Sequence, residues 1–369
     1  MQPSTNTIAS DRFAYARLRR VRALLKRTCI FVSCSYIFIR IMAPRASLAD
    51  GGTGKTQVSS KPRQHRCVSW ECVKREMDGY DLFSLLEEVV NPFSGWYLCE
   101  YYLGTEHEHW LGNDAFALLK RRRLLQELPK CDKVKKEMAI IFVEATRIEE
   151  FATDCLPALR VPVIIISGRW HIPSVQQSRA TTAILSSNFI YKWFLQNPFT
   201  THEKIIQFPY GVMHSNLPSF AHIASRPDLL KSNRTKLMNL PLGRTNKSRE
   251  QLTGSTHKRL SVGDFYDKLT QVEFVISPAG DRPDCHRHLE AIGLGARPIC
   301  NCPEHFRDLY GNLMVIGNMD FLRSVLETPA ILNSLALKPI RVSEQDLLST
   351  GFWAKRIQLE ISKYRATGQ

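Results

Sequence analysis

The stretch of residues 272–302 constrains the fold more than any other part of the chain, because it has the pattern of a complete β–loop–α–β unit. Val272–Ile276 is a short apolar run rich in β-branched residues, which predicts a buried strand. The sequence Ser-Pro-Ala-Gly then ends the strand, and we expect Asp281 or Asp284 to cap the helix that follows. Residues 297–300 are apolar again and predict a second strand.

The turn between this strand and its helix predicts an anion site. Amides at the start of a helix lack partners within the helix and carry partial positive charge, so they attract phosphate groups. Gly280 lets a ligand approach the backbone closely. Arg287 and Glu290 lie three residues apart on one helical face, where a guanidinium can hold a diphosphate and a carboxylate can accept from a ribose diol. An exposed Arg–Glu pair on an ordinary βαβ unit would have the same spacing.

The sequence SPAGDRPDCHRHLEAIGLGARPI resembles the donor-site motif of exostosin-like glycosyltransferases, with its Ser-Pro-x-Gly, Asp-x-x-Arg, Glu-Ala and Gly-x-x-Pro-Ile elements. The resemblance covers about thirty residues and implies an α/β protein of GT-B type, in which two Rossmann-like domains face a cleft. Carried over by position, Arg287 would contact the diphosphate and Glu290 the ribose. Ser277, Gly280 and Asp284 would shape the loop.

A second anion-binding turn is predicted at residues 243–252, GRTNKSREQL, where Lys247 and Arg249 are available. The exostosin-like resemblance implies that this turn adds a further contact to the diphosphate, although an exposed loop would have a similar composition. Three residues depart from the family pattern around the donor motif: His286, His288 and Arg297. These departures leave the donor base and sugar open and keep a non-catalytic role in view.

The basic character of the chain lies mostly in its first 66 residues. The formal net charge is +15, and residues 1–66 hold 13 Lys and Arg against two Asp and Glu. The remainder is nearly balanced, with 37 against 33, so nucleic acid is not an expected partner. A basic run at 17–27 followed by an apolar run at 28–39 predicts a signal anchor or a cleaved signal peptide, and a basic amphipathic helix is the alternative.

We therefore expect three regions: a leader with a flexible stem at 1–66, an acceptor-side Rossmann-like domain at 67–225, and a nucleotide-sugar-binding Rossmann-like domain at 226–369. The leader predicts a type II membrane protein of the Golgi or endoplasmic reticulum, or a secreted protein if it is cleaved. Of the ten cysteines, eight follow the leader, an even number that suits disulfides in a secretory compartment without fixing their pairing. Their spacing predicts no zinc site.

Candidates for a catalytic base come from the first of these domains. Apolar runs at 138–143 and 161–167 predict strands, and ligand groups in a doubly wound sheet lie just beyond the carboxyl ends of the strands. Glu144, Arg169 and His171 are therefore cleft candidates, although a salt bridge or a surface loop would account for each of them. His214 follows the run QFPYGVM, and an imidazole there could take a proton from an acceptor hydroxyl.

The remaining pattern predicts further elements. Residues 183–185 and 192–195 are expected to be strand-like, and 115–128, 220–231, 265–270 and 343–364 to be largely helical. The sequence ADGGTGKT at 49–56 matches a phosphate loop only formally, since neither a strand nor a helix flanks it.

The leading hypothesis is an exostosin-like glycosyltransferase that moves a sugar from a nucleotide-sugar, UDP- or GDP-linked, to a hydroxyl of a glycan or glycoprotein. Family resemblance implies inversion, and the absence of an Asp-x-Asp sequence suits an enzyme that uses no metal cofactor. Glu290→Ala is expected to abolish turnover with little effect on the thermal melt. The alternative is a non-catalytic carbohydrate- or nucleotide-binding protein on the same scaffold.

Overall fold

A computed structural model describes residues 67–104, 126–168, 174–226, 228, 234–238, 249, 252, 260–335 and 342–367. These residues belong to one compact unit, Val58–Gln369. The predicted leader and three candidate site residues, Arg169, His171 and Lys247, lie outside the described residues. So do residues 115–125 of the helix predicted at 115–128, whereas its end is not helical, because Gln126–Glu127 form a strand. No described helix is both long enough and apolar enough to cross a membrane.

The first sheet has six strands within the described residues. Its strands are β1 (Tyr101–Leu103), β2 (Gln126–Glu127), β3 (Ala139–Glu144), β4 (Val163–Gly168), β5 (Ile190–Gln196) and β6 (Ile205–Phe208). Helical segments connect β3 to β4 and β4 to β5. All pairings are parallel, and the order is β2-β1-β3-β4-β5-β6. Parallel pairing places the carboxyl ends of the strands along one edge of the sheet.

The second sheet is smaller and also parallel. Its strands are β7 (Thr235–Met238), β8 (Val272–Ile276), β9 (Arg297–Cys300) and β10 (Val315–Ile316), in the order β10-β9-β8-β7. The strand-loop-helix-strand unit predicted at 272–302 is confirmed. The chain is thus a mixed α/β protein with two parallel sheets in its described part.

The helices of the described residues vary in length from one turn to five. They are α1 (Trp70–Glu76), α2 (Leu82–Glu88), α3 (Ser94–Leu98), α4 (Arg179–Ser186), α5 (Leu217–Ala224), α6 (Val262–Thr270), α7 (His286–Gly293), α8 (Arg307–Tyr310), α9 (Met319–Glu327) and α10 (Thr350–Thr367). Short helical turns also occupy 145–158, 214–216, 304–306, 329–334 and 342–348.

Three further predictions of local structure were wrong. Residues 183–185 are not strand-like but lie in α4, because Ser178 and Thr181 form a reciprocal capping box that starts a helix. The helix predicted at 220–231 is α5, which ends at Ala224, before Pro227. Helix α7 begins one residue after Cys285, so neither Asp281 nor Asp284 is its N-cap.

The core follows the alternation of side chains along the strands. In β3, Ile140 and Phe142 face a large cluster that also includes Val272 and Val275 of the second sheet. Ala139, Ile141 and Val143 face a separate cluster on the other side of the first sheet. In β8, Phe274 and Ile276 face a third cluster, which α9 covers through Leu322 and Val325. Because both faces of these strands are covered, their sequences are continuous apolar runs.

The chain returns to the first sheet at its C-terminal end. In α10, the Trp353 ring lies 4.9 Å from the Phe208 ring of β6, and Tyr364 lies 5.1 Å from Tyr191 of β5. Three disulfides occur in the described residues: Cys67–Cys72, Cys131–Cys155 and Cys300–Cys302. Cys99 and Cys285 are free thiols.

Candidate functional site

The candidate site lies where the two sheets meet. Strands β5 and β6 of the first sheet and β8 of the second all point their carboxyl ends at the loop of residues 277–285, named here the β8–α7 loop. The link is direct, because the Asp284 amide donates to Oδ1 of Asn197, the residue after β5, at 2.6 Å. Crevices at the carboxyl ends of parallel strands are the usual place for ligands in α/β proteins.

Asp284 is the hub of this contact and is fully buried. Its Oδ2 accepts from the Tyr210 amide at 2.8 Å and from the Tyr310 hydroxyl at 2.7 Å. Its Oδ1 lies 3.0 Å from Nδ1 of His288. The family resemblance implies that Asp284 shapes the loop. In the structure it also connects Tyr210, which follows β6 of the first sheet, with Tyr310 of α8 and His288 of α7.

His288 completes this buried network. Its Nδ1 faces the Asp284 carboxylate, and its Nε2 lies 2.9 Å from the carbonyl oxygen of Ser277. Two oxygen acceptors at two ring nitrogens suit a doubly protonated imidazolium. Burial alone would lower the pKa of His288, but the neighbouring Cys285 thiolate and Asp284 carboxylate raise it to about 10. The Ser277 side chain is buried as well, and Ser277 contacts the histidine through its backbone carbonyl.

The β8–α7 loop is held in shape by two side chains from outside it. Arg249 is buried, and its Nε and Nη2 donate to the carbonyl of Pro278 at 3.2 and 2.9 Å. Nε also lies 3.2 Å from the carbonyl of Ala279. The Asn301 Oδ1 accepts from the Ala279 amide at 2.8 Å, and the Gly280 amide donates to the Arg282 carbonyl at 3.0 Å. Arg249, predicted to contact a diphosphate, therefore also supports the loop backbone.

Three guanidinium groups lie in or beside this loop, those of Arg249, Arg282 and Arg287. Arg282 is buried, with its guanidinium 4.6 Å from the centre of the Tyr210 ring. Arg287, on the first turn of α7, lies 4.9 Å from the centre of the Phe265 ring and is close enough to Arg249 for mutual repulsion. Burial, with that repulsion, lowers the pKa of Arg287 to about 10, which still leaves it charged at neutral pH.

Glu290 lies one turn after Arg287 and is buried. Its Oε1 accepts from the Tyr266 hydroxyl at 2.9 Å and from the Met213 amide at 3.3 Å. Burial raises the pKa of Glu290 to about 7, against the opposing effect of these donors and of Arg287. Glu290 and Arg287 are thus together, as the spacing predicts, and one carboxylate oxygen is already engaged by the protein.

The first sheet contributes a loop after β6 to the same site. His286 Nδ1 lies 2.8 Å from the carbonyl of Gly211, and its ring stacks on Tyr210 with centroids 4.4 Å apart. Burial lowers the pKa of His286 to about 4, so the ring is neutral and Nδ1–H donates to the carbonyl. Gly211 has a φ of +93°, and a Cβ there would lie 2.6 Å from the Asn91 amide and the Val90 carbonyl. This loop therefore requires glycine at that position.

His214 lies next to Met213, whose amide contacts Glu290, and so belongs to the same cluster. Its side chain is buried, with its ring edge-on to Phe93 at 5.1 Å. Burial lowers the pKa of His214 to about 4. The imidazole is therefore neutral at physiological pH, and the burial that keeps it neutral also makes it a weak base.

Glu144 lies apart from this cluster. It ends β3, two strands from β5 along the same sheet edge, which corresponds to about 10 Å at the usual strand spacing. It is buried, and a Cβ at Gly104 would lie 2.8 Å from its Oε2. No position can be assigned to the other predicted groups, Arg169, His171 and Lys247, because they fall outside the described ranges.

Sequence reasoning missed several contributors to the site: Asn197, Tyr266, Arg282 and Tyr310. Their partners are distant in sequence; Asn197 and Asp284 are 87 residues apart, and Tyr310 is 26 residues from Asp284. Tyr210 could be suspected from the Pro-Tyr-Gly turn, but nothing in its sequence context indicates the contact with Asp284.

The arrangement favours an anionic ligand. Among the described residues of the site, Arg249, Arg282, Arg287 and His288 are cationic, against the carboxyl groups of Asp281, Asp284 and Glu290, and burial raises the pKa of Glu290 to about 7. Low-dielectric walls strengthen the field of such groups. Neither a protein-family model nor a curated protein matches this chain.

Proposed function

We propose that this protein is an exostosin-like glycosyltransferase of GT-B type. It would bind a nucleotide-sugar against the β8–α7 loop and transfer the sugar to a hydroxyl of a glycan or glycoprotein. The two parallel sheets, whose strand ends meet at that loop, are compatible with two Rossmann-like domains. We also propose that the protein acts in the secretory pathway, on the basis of the sequence of the leader.

The observation that carries the proposal is the placement of Arg287 and Glu290 one helical turn apart, beside a loop surrounded by guanidinium groups. Arginine is well suited to a diphosphate because its planar donors match phosphate oxygens. The start of α7 adds backbone amides of the same polarity. Glu290, with Oε1 held by Tyr266 and Met213, is left to meet the ribose through Oε2.

The chemistry would proceed by attack of an acceptor hydroxyl on the anomeric carbon, while the bond from that carbon to the diphosphate oxygen breaks. Negative charge grows on the leaving diphosphate, and Arg287 and Arg282 would stabilise it electrostatically. The acceptor proton would pass to a base, for which the neutral His214 is the described candidate nearest to Glu290. The resemblance implies inversion without a metal cofactor.

A donor screen by thermal shift tests the binding step. The full chain is heated with UDP, GDP and their common sugar conjugates, and at 100 times Kd we expect about 2.7 kcal/mol of stabilisation, a melting-temperature rise of several degrees. Arg287→Met should abolish the rise, because it removes the guanidinium proposed to hold the diphosphate. The variant should still fold, because the apolar methionine side chain can pack on Phe265. The control is Arg297→Met, which should retain the rise, because the Arg297 Nε donates to the Asn312 carbonyl in the helical turn before β10.

One observation favours the second candidate, a binding protein without turnover. Arg249 uses two nitrogens on loop carbonyls, and Glu290 uses Oε1 on Tyr266 and Met213, so part of the expected ligand machinery supports the fold. Calorimetry that detects glycan binding without nucleotide binding would support this alternative and refute the transferase.

A further inference from the structure

A sulfur and nitrogen cluster lies against the β8–α7 loop. His288, Cys300 and Cys302 are buried, and each offers a ligand atom within 4.8 Å of the other two. His288 lies on α7, Cys300 is the last residue of β9, and Cys302 follows two residues later. Their spacing in sequence fits no zinc motif, so only the fold brings them together.

Cys285 is a fourth residue of the same kind beside this cluster. It is a free thiol, and its backbone amide lies 3.3 Å from Nδ1 of His288. Its Sγ lies 3.8 Å from Oγ of Ser277, whose carbonyl lies 2.9 Å from Nε2 of the same histidine. The Cys285 thiol is half-buried and hydrogen-bonds the His288 side chain, whereas the ligand atoms that lie within 4.8 Å of one another are those of His288, Cys300 and Cys302.

We propose that Cys300 and Cys302, when reduced, bind a Zn²⁺ ion together with His288 and Cys285. Tetrahedral zinc with bonds of about 2.3 Å to sulfur and about 2.0 Å to nitrogen places its ligand atoms roughly 3.5–3.8 Å apart. A separation within 4.8 Å needs only small side-chain rotations to reach that value. Thiolate and imidazole are also the ligands that favour zinc over magnesium or calcium.

The hydrogen bonds around His288 are similar to those that usually surround a zinc-bound histidine. Zinc-bound histidines usually donate their other ring N–H to a carboxylate or a carbonyl, which fixes the ring. Asp284 holds Nδ1 at 3.0 Å, and Tyr210 and Tyr310 hold Asp284 in turn. Nε2 is then the coordinating nitrogen, and it exchanges the Ser277 carbonyl for the metal.

Metal binding requires that the disulfide first be reduced, and a dithiol can supply the electrons. The Cys300–Cys302 disulfide of this structure takes two electrons and two protons from the dithiol, which itself becomes a disulfide. Zn²⁺ then displaces the thiol protons of Cys300 and Cys302 and the Nε2 proton of His288, so three protons leave the site, and Cys285 binds as the thiolate. The cluster therefore has two closed states, a disulfide and a metal site.

The metal state would act on the loop through Asn301. This residue lies between the two cysteines, and its Oδ1 accepts from the Ala279 amide at 2.8 Å. Zinc held by both neighbours would keep Asn301 in place after the disulfide is lost. The proposal concerns metal binding alone and does not depend on sugar transfer.

Metal binding by the full chain tests the proposal. The protein is reduced with a phosphine, which does not compete as a thiol ligand, and is then titrated with Co²⁺ and separately with Zn²⁺ against a chromophoric chelator. We expect one tightly bound metal per chain after reduction and none before it, with thiolate-to-cobalt absorption and the visible bands of a tetrahedral site. This comparison uses the unaltered protein, so it does not depend on the folding of a variant.

Variants then assign the ligands. Cys300→Ser/Cys302→Ser should lose the metal, and Cys285→Ser should lower the thiolate-to-cobalt absorption by about one third, the share of one sulfur among three. Cys131→Ser/Cys155→Ser, which removes another pair of cysteines, should bind as the unaltered chain does. No metal in the reduced chain would overturn the proposal, and so would metal retained by Cys300→Ser/Cys302→Ser, since it would lie elsewhere, for example at Cys67, Cys72 and Glu76.

Discussion

The Nδ1 atom of His288 lies 3.0 Å from Oδ1 of Asp284, and neither side chain is exposed to solvent. The same carboxylate accepts from Tyr210 after β6 and from Tyr310 of α8. A buried carboxylate is costly unless it is paired and hydrogen-bonded. Here its partners lie at 2.7–3.0 Å, one in the loop after β6 and two on α7 and α8. This pair therefore fixes the β8–α7 loop against the first sheet.

Asp284→Asn should destabilise the protein by about 3–5 kcal/mol, because it leaves the buried imidazolium of His288 without its counter-charge. Urea unfolding followed by far-ultraviolet circular dichroism measures the change. Asp281→Asn, in the same loop but exposed, is the matched control and should leave the midpoint unchanged. Equal midpoints for Asp284→Asn and the unaltered chain would show that the pair is not structural.

Gly211→Ala should be destabilising by about 2–4 kcal/mol. Its φ of +93° is strained for any L side chain, and the added methyl group would meet the Asn91 and Val90 backbones. Gly263→Ala in α6 is the control, since nothing lies within 4 Å of its Cβ position and alanine favours a helix by up to about 1 kcal/mol. Thermal melts of the two variants should therefore move in opposite directions, and a Gly211→Ala melt at or above that of the unaltered chain would contradict the argument.

Much of the fold could be predicted because its cause is local. The apolar runs of β3, β4 and β8 are buried on both faces, so they stand out in sequence without any knowledge of their neighbours. Residues 183–185 could not be placed so easily. Their apolar run is short, and the capping box at Ser178 outweighs the strand propensity of Ile184.

The site was predicted less completely because its contacts cross the chain. Arg287 and Glu290 are close through helical spacing alone, and sequence is sufficient for that pair. Tyr266 lies 24 residues from Glu290 in sequence, so spacing does not reveal that its hydroxyl donates a hydrogen bond to the Glu290 carboxylate. The sequence predicts that Glu290→Ala leaves the melt nearly unchanged, whereas the structure gives the opposite expectation, because alanine would leave the Tyr266 hydroxyl and the Met213 amide without an acceptor.

Glu290→Gln is accordingly the sharper test of the proposed ribose contact. The amide oxygen can still accept from Tyr266 and Met213, so we expect a loss of stability below about 1.5 kcal/mol. Nucleotide-sugar turnover should fall at least tenfold, because a neutral amide donates where the diol needs an acceptor. Glu304→Gln, exposed beside Arg307, is the control and should keep full turnover. Turnover by Glu290→Gln equal to that of the unaltered chain would remove Glu290 from the donor site.

The pH dependence of stability should carry the signature of His214. Its pKa is about 4 in the folded chain and near 6.5 when solvated, so between these values the unfolded chain binds a proton that the folded chain does not. Stability from this group is complete above pH 6.5 and is lost as the pH falls toward 4, with a total on the order of 3 kcal/mol.

His214→Gln should therefore lose less stability than the unaltered chain between pH 7 and pH 4. Because other groups titrate in the same range, the difference between the two proteins isolates the His214 contribution. Urea midpoints at half-unit pH intervals provide the measurement. His222→Gln, an exposed histidine on α5, should follow the unaltered chain throughout. Parallel curves for His214→Gln and the unaltered chain would mean that the pKa of His214 is the same in the folded and unfolded chains, and the argument that burial lowers it would be refuted.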